Sequence, residues 1–258
     1  KRIGVMATLP TTLEPTKGTI CRVARECGKA VELVDCLVDG AFGLDCSDLK
    51  GKKLVNLDSE EEGVFTVSCA GGVRLDCFLA GEQSPLNGET GYTVTLSGLL
   101  GGHSGGEIHK GRASANQVMG RVLYSAMEQV DGLRMADIRG GKFDNVICSS
   151  NQAKVAVPAG QAECFEEFIR AFDAVLKNEY AGCDDGIALN CAKTPLDSAL
   201  SQQVTFRMLR VLVALPQGVQ AMNVDFPGLV QTSLNLGLMG MEADGLHFSI
   251  SVRSCIAS

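Results

Sequence analysis

Between Gly98 and Leu123 the chain reads GLLGGHSGGEIHKGRASANQVMGRVL, and this stretch restricts the fold most. It carries seven glycines and two histidines. Downstream of the loop, Ala113, Ala115, Val118, Met119, Val122, Leu123 and Ala126 recur at helical spacing. Upstream, Tyr92, Val94 and Leu96 alternate with Thr93 and Thr95, the pattern of a half-buried strand. The order is therefore strand, glycine loop, helix, with His103 and Ser104 held on a backbone nearly free of side chains. Glycine lacks a Cβ and tolerates positive φ, so such a backbone can approach a ligand closely. An imidazole there can donate to an oxyanion or a carboxylate. The plain alternative is a tight connection in which His103 is a solvated loop residue.

At 258 residues with 45% hydrophobic content, the chain can bury a real core as one large domain or two small ones. A net charge of −7 with no basic stripe argues against nucleic acid and anionic membrane as partners, since nothing is present to replace counterions. The longest apolar runs, such as 211–215, fall far short of a membrane span. The N-terminus lacks the charged, apolar and small-residue succession of a secretory signal, so a cytoplasmic location is expected. The eleven cysteines are odd in number, scattered, and free of any Cys-x-x-Cys pair. Reduced, mostly buried thiols fit that pattern better than a disulfide scaffold or a structural zinc cluster.

The chain opens with a strand in IGVMATLP, a helix over 16–28 and a strand over 31–38, a βαβ-like start suited to a parallel sheet. The TTLEPT turn can bind an anion or simply cap the helix. Leu54, Val55 and Leu57 form a buried strand ending at Asp58. Enzymes of the α/β class place metal ligands and catalytic groups at such strand ends, although a solvated turn accounts for Asp58 more simply. Glu60, Glu61 and Glu62 read as a solvated charge run.

Gly71 and Gly72 mark a passage into a second domain. Strands are expected over 73–80 and 92–99, joined by a turn containing Pro and Gly, then a helix to about Val130 and a strand over 133–139 leading into GGKFDNVI. A strand over 153–157 and a helix over 161–180 follow. The helix carries an apolar stripe of Phe165, Phe168, Ile169, Phe172, Val175 and Leu176. A strand over 184–191, a helix over 198–215, and an antiparallel pair over 232–241 and 246–252 complete the chain. Arg253 ends the last strand, where a guanidinium can form a two-pronged bond to a peptide's terminal carboxylate or a simple rim ion pair. His109 and His247 read as structural.

The strings DGAFGLD, VNLDSEEEG, SCAGG, LSGLLGGHSGGEIHKGRASAN, TSLNLG and SVRS, in this order, resemble the aminoacyl-histidine (Xaa-His) dipeptidases, or cytosolic non-specific dipeptidases, of the dinuclear-zinc metallopeptidase superfamily. The likeness runs from about Asp39 to the C-terminus. It implies a lid and dimerisation domain whose His103 reaches the partner subunit's active site in trans and steadies the transition state. It also implies Asn145 and Arg253 as substrate contacts, Asp58 as a zinc ligand, two zinc ions in the intact enzyme, and a homodimer formed through the lid. Read structurally, Asn145 can be only a turn cap. Residues 1–42 resemble part of the aspartate/glutamate/hydantoin racemase superfamily instead, so the chain looks like a junction at DGAF.

The family requires a His-x-Asp, a bridging Asp, a Glu-Glu pair, a further Asp and a distal His. This sequence offers Asp58 alone, no Glu-Glu pair precedes DGAFG, and Cys148, Ser149 and Ser150 stand where the family has Pro and a charged residue. One carboxylate cannot hold two zinc ions. The expectation is thus an α/β (α+β) chain: a partial parallel-sheet catalytic remnant over 1–70, an antiparallel-sheet-plus-helices lid over 71–253, and the start of a return to the catalytic part over 254–258. It is expected to bind no zinc and hydrolyse no dipeptide alone. The alternatives are a non-catalytic dimerisation module and a racemase-like enzyme using Cys21, Cys27 or Cys36.

Overall fold

Period-two alternation dominates the second part of the chain, and it is answered by one large antiparallel sheet. The computed structural model describes residues 2–7, 21, 22, 24–26, 28, 32–37 and 69–256. Two units are distinguished, Lys1–Ser68 and Cys69–Ser258. In the first, strands β1 (Arg2–Ala7) and β2 (Glu32–Leu37) pair in parallel, with residues 21, 22 and 24–26 helical between them. Asp58, the DGAFG string, the TTLEPT turn and the Glu60–Glu62 run lie outside the described residues.

The second unit contains β3 (Gly71–Ala80), β4 (Gln83–Pro85), β5 (Glu89–Ser97), β6 (Gly102–His103), β7 (Arg134–Gly140), β8 (Val146–Ile147) and β9 (Asn151–Pro158). It continues with β10 (Ala188–Lys193), β11 (Ser198–Leu200), β12 (Gly218–Met222), β13 (Val230–Glu242) and β14 (Gly245–Ser254). Its helices are α1 (Ala115–Gln129), α2 (Ala162–Glu179) and α3 (Gln202–Ala214). The main sheet has eight strands in the order β10-β5-β9-β7-β13-β14-β3, with β12 joined to β13. The mixed α/β class with a large antiparallel sheet and helices is therefore as the sequence pattern implies.

One face of that sheet packs on the helices. Tyr92, Val94 and Leu96 of β5, Met135 and Ile138 of β7 and Val155 of β9 share a single core with Val118, Met119 and Leu123 of α1, Phe165 and Ile169 of α2, and Met208 and Leu212 of α3. Each such side chain contributes about 1.5–3 kcal/mol when fully buried. Thr93 and Thr95, at the alternate positions of β5, remain only partly covered.

Three local expectations are corrected. Strands β3 and β5 are not joined by a turn alone: β4 lies between them, β3 pairs with β14 at one edge of the sheet, and β5 lies between β9 and β10. Residues 198–200 are not helical but form β11 against β4, and the helix begins only after Ser201, whose Oγ accepts from Val204 N at 3.2 Å. Asp184 is not in a strand; β10 starts at Ala188, and Asp184 sits in the preceding turn, where Ile187 N donates to its carbonyl.

Candidate functional site

Both ends of the glycine loop are tied to one carboxylate. Asp184 is fully buried, and its Oδ1 accepts from Leu100 N and its Oδ2 from Ala113 N, each at 2.7 Å. Two amides bound to the two oxygens of one buried side chain anchor the loop between these residues at its feet. Within it, β6 pairs with β8, and Ser104 N donates to the carbonyl of Asn145 at 2.9 Å. Glu107 braces the loop from inside. Its Oε2 accepts from His103 N at 3.1 Å, and its Oε1 meets Lys110 Nζ at 2.8 Å and Arg112 Nη2 at 3.1 Å. The Lys110 hydrogen bond first, then the His103 amide and the charges of Arg112 and Lys110, hold the Glu107 carboxyl down to about 2.

The His103 side chain is exposed, and its Nδ1 accepts from Gly105 N and Gly106 N, both at 3.2 Å. Arg253 stands on β14 opposite Gly72 of β3 and Ser233 of β13. Its Nε is buried and has no partner among the described residues. A Cβ placed on Gly105 would lie 2.9 Å from His103 Cε1 and 3.2 Å from Arg253 Cζ, so the imidazole and the guanidinium flank the same point. A guanidinium and an imidazole side by side are both groups that can donate to an anionic oxygen.

Asn145 is exposed, in the loop between β7 and β8. That loop is pinned from the sheet. Asn235 Nδ2 donates to the carbonyls of Asp144 and Val146, each at 2.9 Å, and Arg74 reaches Asp144 at 3.3 Å. Where β13 shifts register between Leu236 and Leu238, a Cβ on Gly237 would run into Asp144, and one on Gly141 would overlap the Gly237 carbonyl. The TSLNLG string thus serves the Asn145 loop: its Asn supplies the donor and its Gly the space. Cys148 is buried and donates to Asn116 Oδ1 at 3.1 Å and Ser150 O at 3.0 Å; burial pushes its thiol up.

His103, the Asn145 loop and Arg253, which lie far apart in the sequence, are therefore neighbours. Asp58 lies outside the described residues, and among those described no group of three or more His, Cys, Asp or Glu is placed to hold a metal ion. His109 is exposed in a short 3-10 turn (Ile108–Lys110), and His247 is exposed on β14, bonded to Asp244 at 2.9 Å and packed on Phe78. Sequence reasoning missed Asp184, Glu107 and Asn235. Only Glu107, inside the glycine stretch, carried a local signal.

Residues 94–183, from within β5 to just before Asp184, match the peptidase dimerisation domain. The chain is 37% identical over 224 residues to the cytosol non-specific dipeptidase of Escherichia coli (strain K12), covering 86% of this chain and 46% of that protein. It is also similar to the crystal structure of an aminoacylhistidine dipeptidase from Vibrio alginolyticus, with a TM-score of 0.78 and 31% identity over 93% of this chain and 51% of that one. The chain thus carries a lid and dimerisation portion similar to that of the aminoacyl-histidine and cytosolic non-specific dipeptidases. It spans about half the length of the curated relative it matches. None of these similarities supports the racemase likeness of the first forty residues.

Proposed function

We propose that this chain closes over the active site of a cytoplasmic, zinc-dependent dipeptidase that cleaves Xaa-His and other dipeptides, and pairs with a second copy through the lid. His103 donates to the oxyanion that develops on the scissile carbonyl of the facing subunit's substrate. Arg253 grips the terminal carboxylate in a two-pronged bond, and Asn145 adds an amide contact. Asp58 is offered as one metal ligand. The described residues do not themselves form a metal centre.

The observation that carries this reading is the meeting of His103 and Arg253 across Gly105. Both can donate hydrogen bonds, and both flank the same glycine. A chain that is a lid without a complete metal cradle should sediment as a dimer, bind a dipeptide weakly and release no histidine from it when supplied with zinc. Zinc-dependent release of histidine by the purified chain would overturn the claim of incompleteness. A dimer indifferent to dipeptide, with Arg253→Gln changing nothing, would favour a plain dimerisation module. None of the described helices is long and apolar enough to cross a membrane.

A further inference from the structure

We propose that the backbone amides of Gly105 and Gly106 lock His103 in the tautomer that carries its proton on Nε2, and that Gly105 is glycine to keep the imidazole in that seat. A neutral imidazole has one N–H and one lone pair, and an amide N–H can donate only to the lone pair. Two amides converge on Nδ1 at 3.2 Å each, so the ring proton resides on Nε2. The other tautomer would set an N–H against two N–H groups and turn a lone pair towards any approaching oxygen. With the lock in place, His103 is a hydrogen-bond donor while neutral, needing no second proton to face an oxyanion.

The glycines differ in what they supply. Neither has positive φ, so backbone conformation does not demand glycine at either position. At Gly105 space does: a Cβ would press on His103 Cε1 at 2.9 Å and on Arg253 Cζ at 3.2 Å. At Gly106 the nearest atom to a Cβ is His103 Nδ1, at an ordinary 3.9 Å. Gly105 is thus a positioning residue acting through His103, whereas Gly106 supplies only its amide. The consequence for catalysis rests on the role proposed for His103; the tautomer does not.

The full chain labelled with 15N-histidine, at a pH where the rings are neutral, reports the tautomer through long-range 15N–1H correlations. His103→Gln assigns the signal. The wild-type spectrum should show His103 as a single species with a protonated Nε2, and Gly106→Ala should leave it unchanged. Gly105→Ala should move it towards exchange-averaged shifts, with the His247 signal, set by Asp244, reporting that the variant is folded. A wild-type His103 protonated on Nδ1 or already averaged would overturn the lock, even if the variants fail to fold. An unchanged His103 pattern in folded Gly105→Ala would overturn the role of Gly105. Should the tautomer prove as stated while His103→Gln leaves dipeptide binding and turnover in the intact enzyme unaffected, the proposed function fails and the lock stands.

Discussion

Two glycine-bearing loops meet at the candidate site, and they are held in place by different means. The His103 loop is anchored by side-chain carboxylates: Asp184 at both feet and Glu107 from within. The Asn145 loop is held by closeness, with Gly141 and Gly237 allowing two backbones to approach and Asn235 bonding to two carbonyls. Glycine therefore does different work in each. In the first loop it clears room for side chains to meet; in the second it lets main chain rest on main chain. A carboxylate anchor can be weakened by one isosteric change, whereas a close approach of two backbones fails when bulk is added.

The largest effect should come from adding bulk to the steric anchor. Gly141 has φ 88°, and a Cβ there would overlap the Gly237 carbonyl. Gly141→Ala combines backbone strain with overpacking and should cost about 3 kcal/mol, lowering the melting temperature by about 6 to 12 °C. Gly182→Ala is the reference, since Gly182 has φ 80° with nothing within 4 Å of its Cβ. It should lose only the conformational part, about 1 kcal/mol. Equal losses in calorimetry would mean that the Gly141 and Gly237 backbones are not in contact, and the contrast between the loops would go with them.

Next in size is the clamp. Asp184→Asn keeps the shape but turns an NH2 group towards one of two amides that need an acceptor, leaving a buried donor unpaired at a cost of about 1–3 kcal/mol. Hydrogen exchange should quicken at Leu100 and Ala113 and through the His103 loop, while the Asn235-bound segment keeps its protection. Faster exchange in both loops together would show that they open as one unit.

The elements that follow a period were legible in the sequence: the alternation of Tyr92, Val94 and Leu96, the stripe of α2, and the β13–β14 pair. Three of the four expected site residues, His103, Asn145 and Arg253, were marked by the strings that contain them, GLLGGHSGG, GGKFDNVI and SVRS. The local misreadings share a cause. Ser198–Leu200 lies next to a helical pattern and was absorbed into it, because pairing with β4 is a long-range event that no local window reports. Asp184 read as the start of a strand because its partners, Leu100 and Ala113, lie more than seventy residues upstream. Asn235 likewise looked like an ordinary strand residue inside TSLNLG, and only the bulge at Gly237 discloses which loop it supports. Chain order shows where a polar residue stands; it does not show whose carbonyl it meets.

The smallest effect tests the inner brace of the His103 loop and is electrostatic. The folded Glu107 carboxyl titrates at about 2, below its ordinary 4.5, because the Lys110 hydrogen bond, the His103 amide and the Arg112 charge all favour the ionised form. A depressed carboxylate contributes stability above its unfolded value, and that contribution is lost as pH falls from about 4.5 through about 2. The bond from His103 N should therefore persist at about pH 3.5, where an unpaired glutamate is mostly protonated. Carboxyl 13C shifts of Glu107 and the amide shift of His103, followed together during acidification, check this. A shared midpoint near the ordinary glutamate value would mean that Lys110 and Arg112 leave Glu107 unpaired in solution. Lys110→Met should raise the midpoint, since it removes the largest cause while leaving the His103 amide in place. In an Asp144→Asn background, which removes the carboxylate that Arg74 meets in the Asn145 loop, that loop should not respond, because neither the Asn235 amide nor the Gly237 backbone has a proton to gain in that range. A response there at the Glu107 midpoint would show that the β6–β8 pairing carries the brace from one loop to the other.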